Sequence, residues 1–143
     1  INMFATFASA FSFNGDVSKW DVSRVKNLDN MFYSALSFNG DLSKWDVARV
    51  TNMEHMFSEA SLFNGDVSKW DVSRVNNMER MFSGASSFAQ TLCGGAWLTS
   101  TAGKKGMFDG SSGRLCTTTT IMTANGKTHP DPDCIPTVNT HNA

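Results

Sequence analysis

Apolar positions recur along this chain in two alternating patterns, and the pair of patterns repeats at a fixed period, marked by the even spacing of Trp20, Trp45 and Trp70. The first is helical. Leu28, Met31, Phe32 and Ala35 stand at i, i+3, i+4 and i+7, as do Met53, Met56, Phe57 and Ala60, and Met78, Met81, Phe82 and Ala85. That spacing predicts one apolar stripe on a two-turn helix. Asp29, Glu54, His55, Glu79 and Arg80 fall between these positions and are expected to face water. A helix this short does not hold alone in water, so packing must supply its stability. The second pattern alternates. Leu42 leads into Trp45, Asp46 and Val47, the period of a strand. Between the two, Asn39-Gly40-Asp41 signals a turn.

The copies are close. Residues 63–75 recur letter for letter at 13–25, and with Leu42 and Ala48 as the only changes at 38–50. Such a repeat decides the architecture before other readings begin. The expectation is an α/β repeat with units 1–25, 26–50, 51–75 and a partial unit 76–92. Each unit holds one short strand and one short helix. No unit closes a core alone, but stacked neighbours do, with identical side chains in rows about 4.8 Å apart. Phe7, Phe32, Phe57 and Phe82 form one predicted row; Phe13, Phe38, Phe63 and Phe88 a second; Trp20, Trp45 and Trp70 a third. Core packing is a better account of these aromatics than a carbohydrate platform, with the Trp row the more open to half exposure.

The repeated pattern Asn-Met-x-x-Met-Phe-x-x-Ala-x-x-Phe-Asn-Gly-Asp-Val-Ser-x-Trp-Asp-Val-Ser-x-Val resembles the BspA-type leucine-rich-repeat surface proteins. The resemblance covers residues 1–92, with a weaker echo to Cys116. It implies a leucine-rich-repeat-like solenoid on secreted or cell-surface proteins linked with adhesion, and it brings no catalytic residues. Few copies and a Thr-rich tail set this chain apart from that family.

The fourth unit departs from the pattern. Ala89-Gln90-Thr91 replaces the Asn-Gly-Asp turn and the strand is expected to be lost. Trp97 comes slightly later after Trp70 than the period requires, as a short insertion would make it. Met107-Phe108 follows Met81-Phe82 at nearly the repeat period, so 104–112 reads as a degenerate fifth helix lidding the last coil. Residues 93–116 form a C-terminal cap on this reading. Cys93 and Cys116 lie nearly one coil apart, which puts them within disulfide reach; the other reading is two unrelated buried thiols. Similar Cys pairs end arrays in the resembled family. The bridge implies an oxidising compartment. Cys134 is left as a free thiol, a bond to another segment or an intermolecular bond. Residues 117–143, with Thr117–120 and three prolines, read as a tail or linker.

Composition narrows the function classes. Hydrophobic content is 41% and net charge −1, with no basic run, so neither general disorder nor a nucleic-acid footprint is indicated. No apolar stretch approaches the roughly 20 residues of a membrane helix. The first residues align inside a repeat, so the sequence reads as a segment of a longer or processed chain. No nucleophile–base set, cofactor motif or zinc spacing is present. His55, beside Glu54 and four residues from Glu59, reads as a solvated face. The Asn-Gly-Asp row reads as turns rather than a calcium ladder, since each coil brings one carboxylate there.

The charged rows carry more information. Lys19, Lys44 and Lys69, then Asp21, Asp46 and Asp71, then Arg24, Arg49 and Arg74 alternate in sign across the strand face. They read either as mutual neutralisation or as a polar stripe presented to a partner. Asp21, Arg24, Asp46, Arg49, Asp71 and Arg74 are the predicted interaction surface. The expected function is a non-catalytic extracellular module for adhesion or protein recognition, with a protein or matrix component as partner. The rival is a structural subunit of an extracellular filament, sheath or matrix that self-associates. An ice- or glycan-binding face is disfavoured, because Ser18, Ser43 and Ser68 are a poor substitute for a threonine row.

Overall fold

The computed structural model describes residues 1–117 and the two strand segments Ile121–Met122 and Thr128–His129. Successive repeat units stack as coils. Parallel bridges run Asn2–Asn27–Asn52–Asn77–Gly103, one per coil. Rings stack across the coils at 5.5, 5.5, 5.5 and 5.6 Å along Phe7, Phe32, Phe57, Phe82 and Phe108. A second column, Phe13, Phe38, Phe63 and Phe88, stacks at 5.9–6.0 Å. Within each coil the two phenylalanines lie face to face at 3.9–4.0 Å. Phe32, Phe38, Phe57, Phe63, Phe82 and Phe88, with Leu28, Met53, Met78 and the paired valines, form the buried core, and Phe7, Phe13 and Phe108 pack against it partly buried.

The apolar stripe at i, i+3, i+4, i+7 is not helical. Its backbone alternates between two kinds of bond. In the third unit the N–H groups of Met53, His55, Phe57 and Glu59 donate forward to the carbonyls of Asn77, Glu79, Met81 and Ser83 in the next coil, at 2.7–3.0 Å. The intervening N–H groups of Met56, Ser58 and Ala60 turn back to residues three positions earlier. Every second amide leaves the coil, so the i−4 ladder of a helix cannot form. The geometry demands a left-handed residue at two columns, filled by Ala5, Asn30, His55, Arg80 and Gly106 and by Ser9, Ser34, Glu59, Gly84 and Gly110. For a non-glycine residue that conformation costs about 1–2 kcal/mol, and the inter-coil bonds hold it there.

The expected strand at Trp and Val is also replaced. Asp-Val-Ser-x-Trp-Asp-Val-Ser-x-Val makes two consecutive turns, closed by Trp70 N–H to Val67 O and Val75 N–H to Val72 O in the third unit. The alternation that suggested a strand arises because these turns bury Val67 and the closing Trp70, then Val72 and the closing Val75.

Among the described residues, regular elements appear only where the repeat breaks down, which reverses the expectation for the fourth unit. β1 (Thr91–Leu92) pairs in parallel with β2 (Arg114–Leu115). Between them α1 (Gly95–Thr99) carries the buried Trp97. Residues 104–112 are turns rather than a fifth helix, yet they stack as a coil through Phe82 N–H to Met107 O at 2.9 Å. Cys93 and Cys116 are joined by a disulfide, with Cα atoms 4.9 Å apart, just beyond the β1–β2 pair. β3 (Ile121–Met122) pairs antiparallel with β4 (Thr128–His129). Cys134 and Thr118–120 lie outside the described residues.

Candidate interaction surface

The doubled turn creates one side of the coil stack, and its local chemistry is an aspartate at the head of each turn. In Asp-Val-Ser, the Asp Oδ1 accepts the N–H of the residue two positions on. The distances are 2.9 Å for Asp16, Asp41 and Asp66, 3.0 Å for Asp21, and 3.1 Å for Asp46 and Asp71. Asparagine plays the same part on the opposite pattern, where Asn27, Asn52 and Asn77 accept from Asp29, Glu54 and Glu79. Short polar side chains that mimic a backbone turn explain why Asp and Asn recur at these places.

This capping sets the charge of the surface. The Ser18, Ser43 and Ser68 hydroxyls, and then their N–H groups, hold Asp16, Asp41 and Asp66 below the ordinary carboxylate range. Ser23 and Ser73 do the same for Asp21 and Asp71, with Arg24 and Arg74 as weaker contributors. The charged rows therefore do not neutralise one another by direct pairing. Among the described residues, no ion pair joins these lysines, aspartates and arginines. Each carboxylate is engaged by its own turn instead. Asp21, Arg24, Asp46, Arg49, Asp71 and Arg74 are all exposed, over buried Val22, Val25, Val47, Val50, Val72 and Val75.

The tryptophan row is less open than its polar neighbours suggest. Trp45 and Trp70 are buried, and only Trp20, in the first coil, is 40% exposed. Asn14, Asn39 and Asn64 form a ladder in which each side-chain oxygen accepts the N–H of the next coil: Asn39, Asn64 and finally Ala89. The Asn-Gly-Asp row is thus a set of turns tied between coils. Its asparagine oxygens and its aspartate Oδ1 atoms already accept backbone protons.

On the other side, His55 makes no pair with Glu59. Without a helix, residues four apart do not share a face. The Glu59 carboxylate lies over Gly84 in the next coil. His55 Nδ1 is 3.6 Å from its neighbour Glu54, and its ring meets Tyr33 edge-on at 6.4 Å. Asp29, from the preceding coil, completes a half-buried trio whose ligand-type atoms lie within 4.8 Å of one another. Burial, then the nearby Glu54 carboxylate, raises the Asp29 pKa. Asn77 Nδ2 donates to Glu54 at 3.0 Å, and Asn30 Nδ2 donates to Asp29. Two carboxylates and an imidazole are a donor set a divalent cation accepts. Sequence spacing missed the trio because Asp29 and His55 belong to different repeat units. The repeat period itself was the signal, since it places position 29 beside 54. Among the described residues, no helix is long and apolar enough to cross a membrane.

A protein family described as "Mycoplasma protein of unknown function, DUF285" matches residues 1–115, all five stacked coils. No curated protein and no solved structure matches the chain.

Proposed function

We propose that this chain, which belongs to the DUF285 family, is a non-catalytic extracellular recognition module. On this reading its stacked coils are a leucine-rich-repeat-like solenoid of the BspA type. It binds a protein or a surface or matrix component along the doubled-turn side. One observation carries the reading. The same exposed Asp and Arg recur on every full coil over a buried valine base, so the surface is copied rather than shaped. A copied surface suits an extended or repetitive partner, because each coil adds the same small contact and avidity accumulates. The other side varies from coil to coil, with Asp29-Asn30, Glu54-His55 and Glu79-Arg80 at equivalent places. The Cys93–Cys116 disulfide fits an oxidising, extracellular setting.

The test replaces Arg24, Arg49 and Arg74 by glutamate together. Retention of the parent chain on immobilised extracellular-matrix protein is compared with that of the variant across a salt series. The parent is expected to bind, less well at high salt, and the variant to lose binding. A folded variant that binds as the parent does would remove the doubled-turn side from consideration.

A further inference from the structure

We infer that Asp29, Glu54 and His55 hold a divalent transition-metal ion of the zinc class, which ties the second coil to the third. Ala5 N–H donates to the Asp29 carbonyl, Asn30 to Glu54, His55 to Glu79 and Arg80 to Lys105. Asp29, Glu54, Glu79 and Lys105 therefore form one column, with Asn30, His55 and Arg80 in the column beside it. Carboxylate follows carboxylate at two steps of the stack. At the step from Glu54 to Glu79 the array supplies its own cations, Arg80 beside Glu79 and Lys105 beyond it. At the step from Asp29 to Glu54 it supplies only the His55 imidazole. Among the described residues, no lysine or arginine pairs with Asp29 or Glu54. Burial and then the Glu54 carboxylate already disfavour the Asp29 charge. A dication between the two carboxylates offsets both effects. The trio lies on the side that varies from coil to coil, so its test does not depend on the doubled-turn face.

The donor atoms are aimed by groups outside the trio. Asn77 Oδ1 accepts the Glu79 N–H at 2.9 Å, which turns its Nδ2 onto Glu54 Oε2 at 3.0 Å. Asn30 Nδ2 donates to Asp29 Oδ1. Each carboxylate keeps one oxygen, Glu54 Oε1 and Asp29 Oδ2, that accepts from no described group. Hydrogen bonds to the outer oxygen are what orient a ligating carboxylate at metal sites. Glu54 Oε1 and His55 Nδ1 stand 3.6 Å apart, too far for a hydrogen bond. Two donors on a tetrahedral zinc, with bonds of about 2.0–2.2 Å, lie about 3.4 Å apart. The Asp29 donor is within 4.8 Å of the other two, a gap that side-chain rotation closes. Tyr33, from the second coil, meets the His55 ring edge-on and walls the site. An imidazole beside two carboxylates favours zinc over calcium or magnesium, which take oxygen donors and more of them. Three protein ligands leave one position for water.

The experiment titrates zinc chloride into the full chain at neutral pH by calorimetry, with calcium chloride as the comparison. Zinc is expected to bind and to raise the melting temperature, because it binds the folded state. Calcium at the same concentration is expected to leave the melting temperature unchanged. Two variants locate the ion. Asp29→Asn keeps the side-chain shape, and His55→Ala copies the residue that the same left-handed column holds at Ala5. Each is expected to lose at least about tenfold in zinc affinity, the loss that removing an outer hydrogen-bond partner alone produces. A parent that binds no zinc, or that prefers calcium, overturns the inference. So do folded variants that bind zinc as the parent does. If a variant fails to fold, nuclear magnetic resonance of the parent decides. Zinc is expected to shift the His55 ring signals and the amide signals of Asp29, Glu54 and His55, and shifts confined to other residues overturn the inference.

Discussion

The indole Nε1 of Trp70 donates to the carbonyl of Leu42, 28 residues earlier, at 2.9 Å. Trp45 does the same to Val17 at 3.0 Å, and Trp97 to Val67 at 3.1 Å, so the tryptophans are rungs that tie each coil to the one before. Trp20 stands in the first coil and is 40% exposed. Trp70→Phe is expected to lose a hydrogen bond worth about 0.5–1.5 kcal/mol, because the Leu42 carbonyl keeps its bond from the Trp45 N–H. The cavity left by the missing ring adds to that loss. Trp20→Phe is expected to stay within about 0.5 kcal/mol of the parent. Urea unfolding of the two variants gives the comparison, and equal losses would show that the rung contributes nothing.

Left-handed positions give a second contrast. Arg80 is exposed with φ 52°, and Gly84 has φ 71° with the Glu59 carboxylate over it. Arg80→Gly relieves about 1–2 kcal/mol of backbone strain. It adds about 0.5–1 kcal/mol of chain entropy cost, so a small net gain in stability is expected. Gly84→Ala adds the strain and meets the carboxylate, and a loss above about 1 kcal/mol is expected. Denaturation midpoints check both, and a Gly84→Ala protein as stable as the parent would contradict the conformation assigned to that column.

The sequence made the period, the rows and the cap legible, because identity at a fixed period is independent of backbone detail. Phe57 over Phe82 and Cys93 beside Cys116 follow from counting alone. What counting missed was the backbone path between rows. An apolar stripe at i, i+3, i+4, i+7 also arises from tight turns closed three residues back, as Met53, Met56, Phe57 and Ala60 show. The glycines at 84, 106 and 110 were the available hint, since they mark two columns of positive φ that no helix tolerates. The His55 partner was missed for the same reason: Glu59 is a neighbour only on a helix, whereas Asp29 is a neighbour in a stack.

The disulfide lies just past the β1–β2 pair, where the regular joints have given way to the cap. In the chain-entropy model a bridge spanning 23 residues contributes about 3 kcal/mol. Cys93→Ser with Cys116→Ser is expected to lose about that much. Amide exchange should accelerate first at Arg114 and Cys116, whose N–H groups bond to Gln90 and Leu92, and least at Phe57, deep in the array. Uniform acceleration along the chain would mean that the cap and the coils unfold as one unit.

Acid should act on the turn caps. Asp16, Asp41, Asp66, Asp21 and Asp71 have folded pKa values below the ordinary 3.8, chiefly through the serine two positions on. For such groups the unfolded chain binds more protons between the two values. Their contribution is complete above 3.8 and is lost as pH falls through the lowered folded values. Asp29 runs the other way. Its folded value is raised by burial and by Glu54, so its ionisation lowers stability as pH climbs from 3.8 through that raised value. The melting temperature is therefore expected to rise slightly as pH falls from neutral through the Asp29 window, then to drop steeply below 3.8. Asp29→Asn should abolish the rise. Asp16→Asn, Asp41→Asn and Asp66→Asn together should flatten the drop while preserving the turns, because Asn52 already caps the Glu54 N–H in the same way at 2.9 Å. The triple replacement also removes the attraction of Lys44 for Asp41 and of Lys69 for Asp66, which outweighs the repulsion of Asp41 by Asp16 and of Asp66 by Asp41. Neutral-pH stability is thus expected to fall, because the contribution of these lowered carboxylates is complete there and goes with their charge. A triple variant that follows the parent's acid curve would show that these turns are not where acid acts.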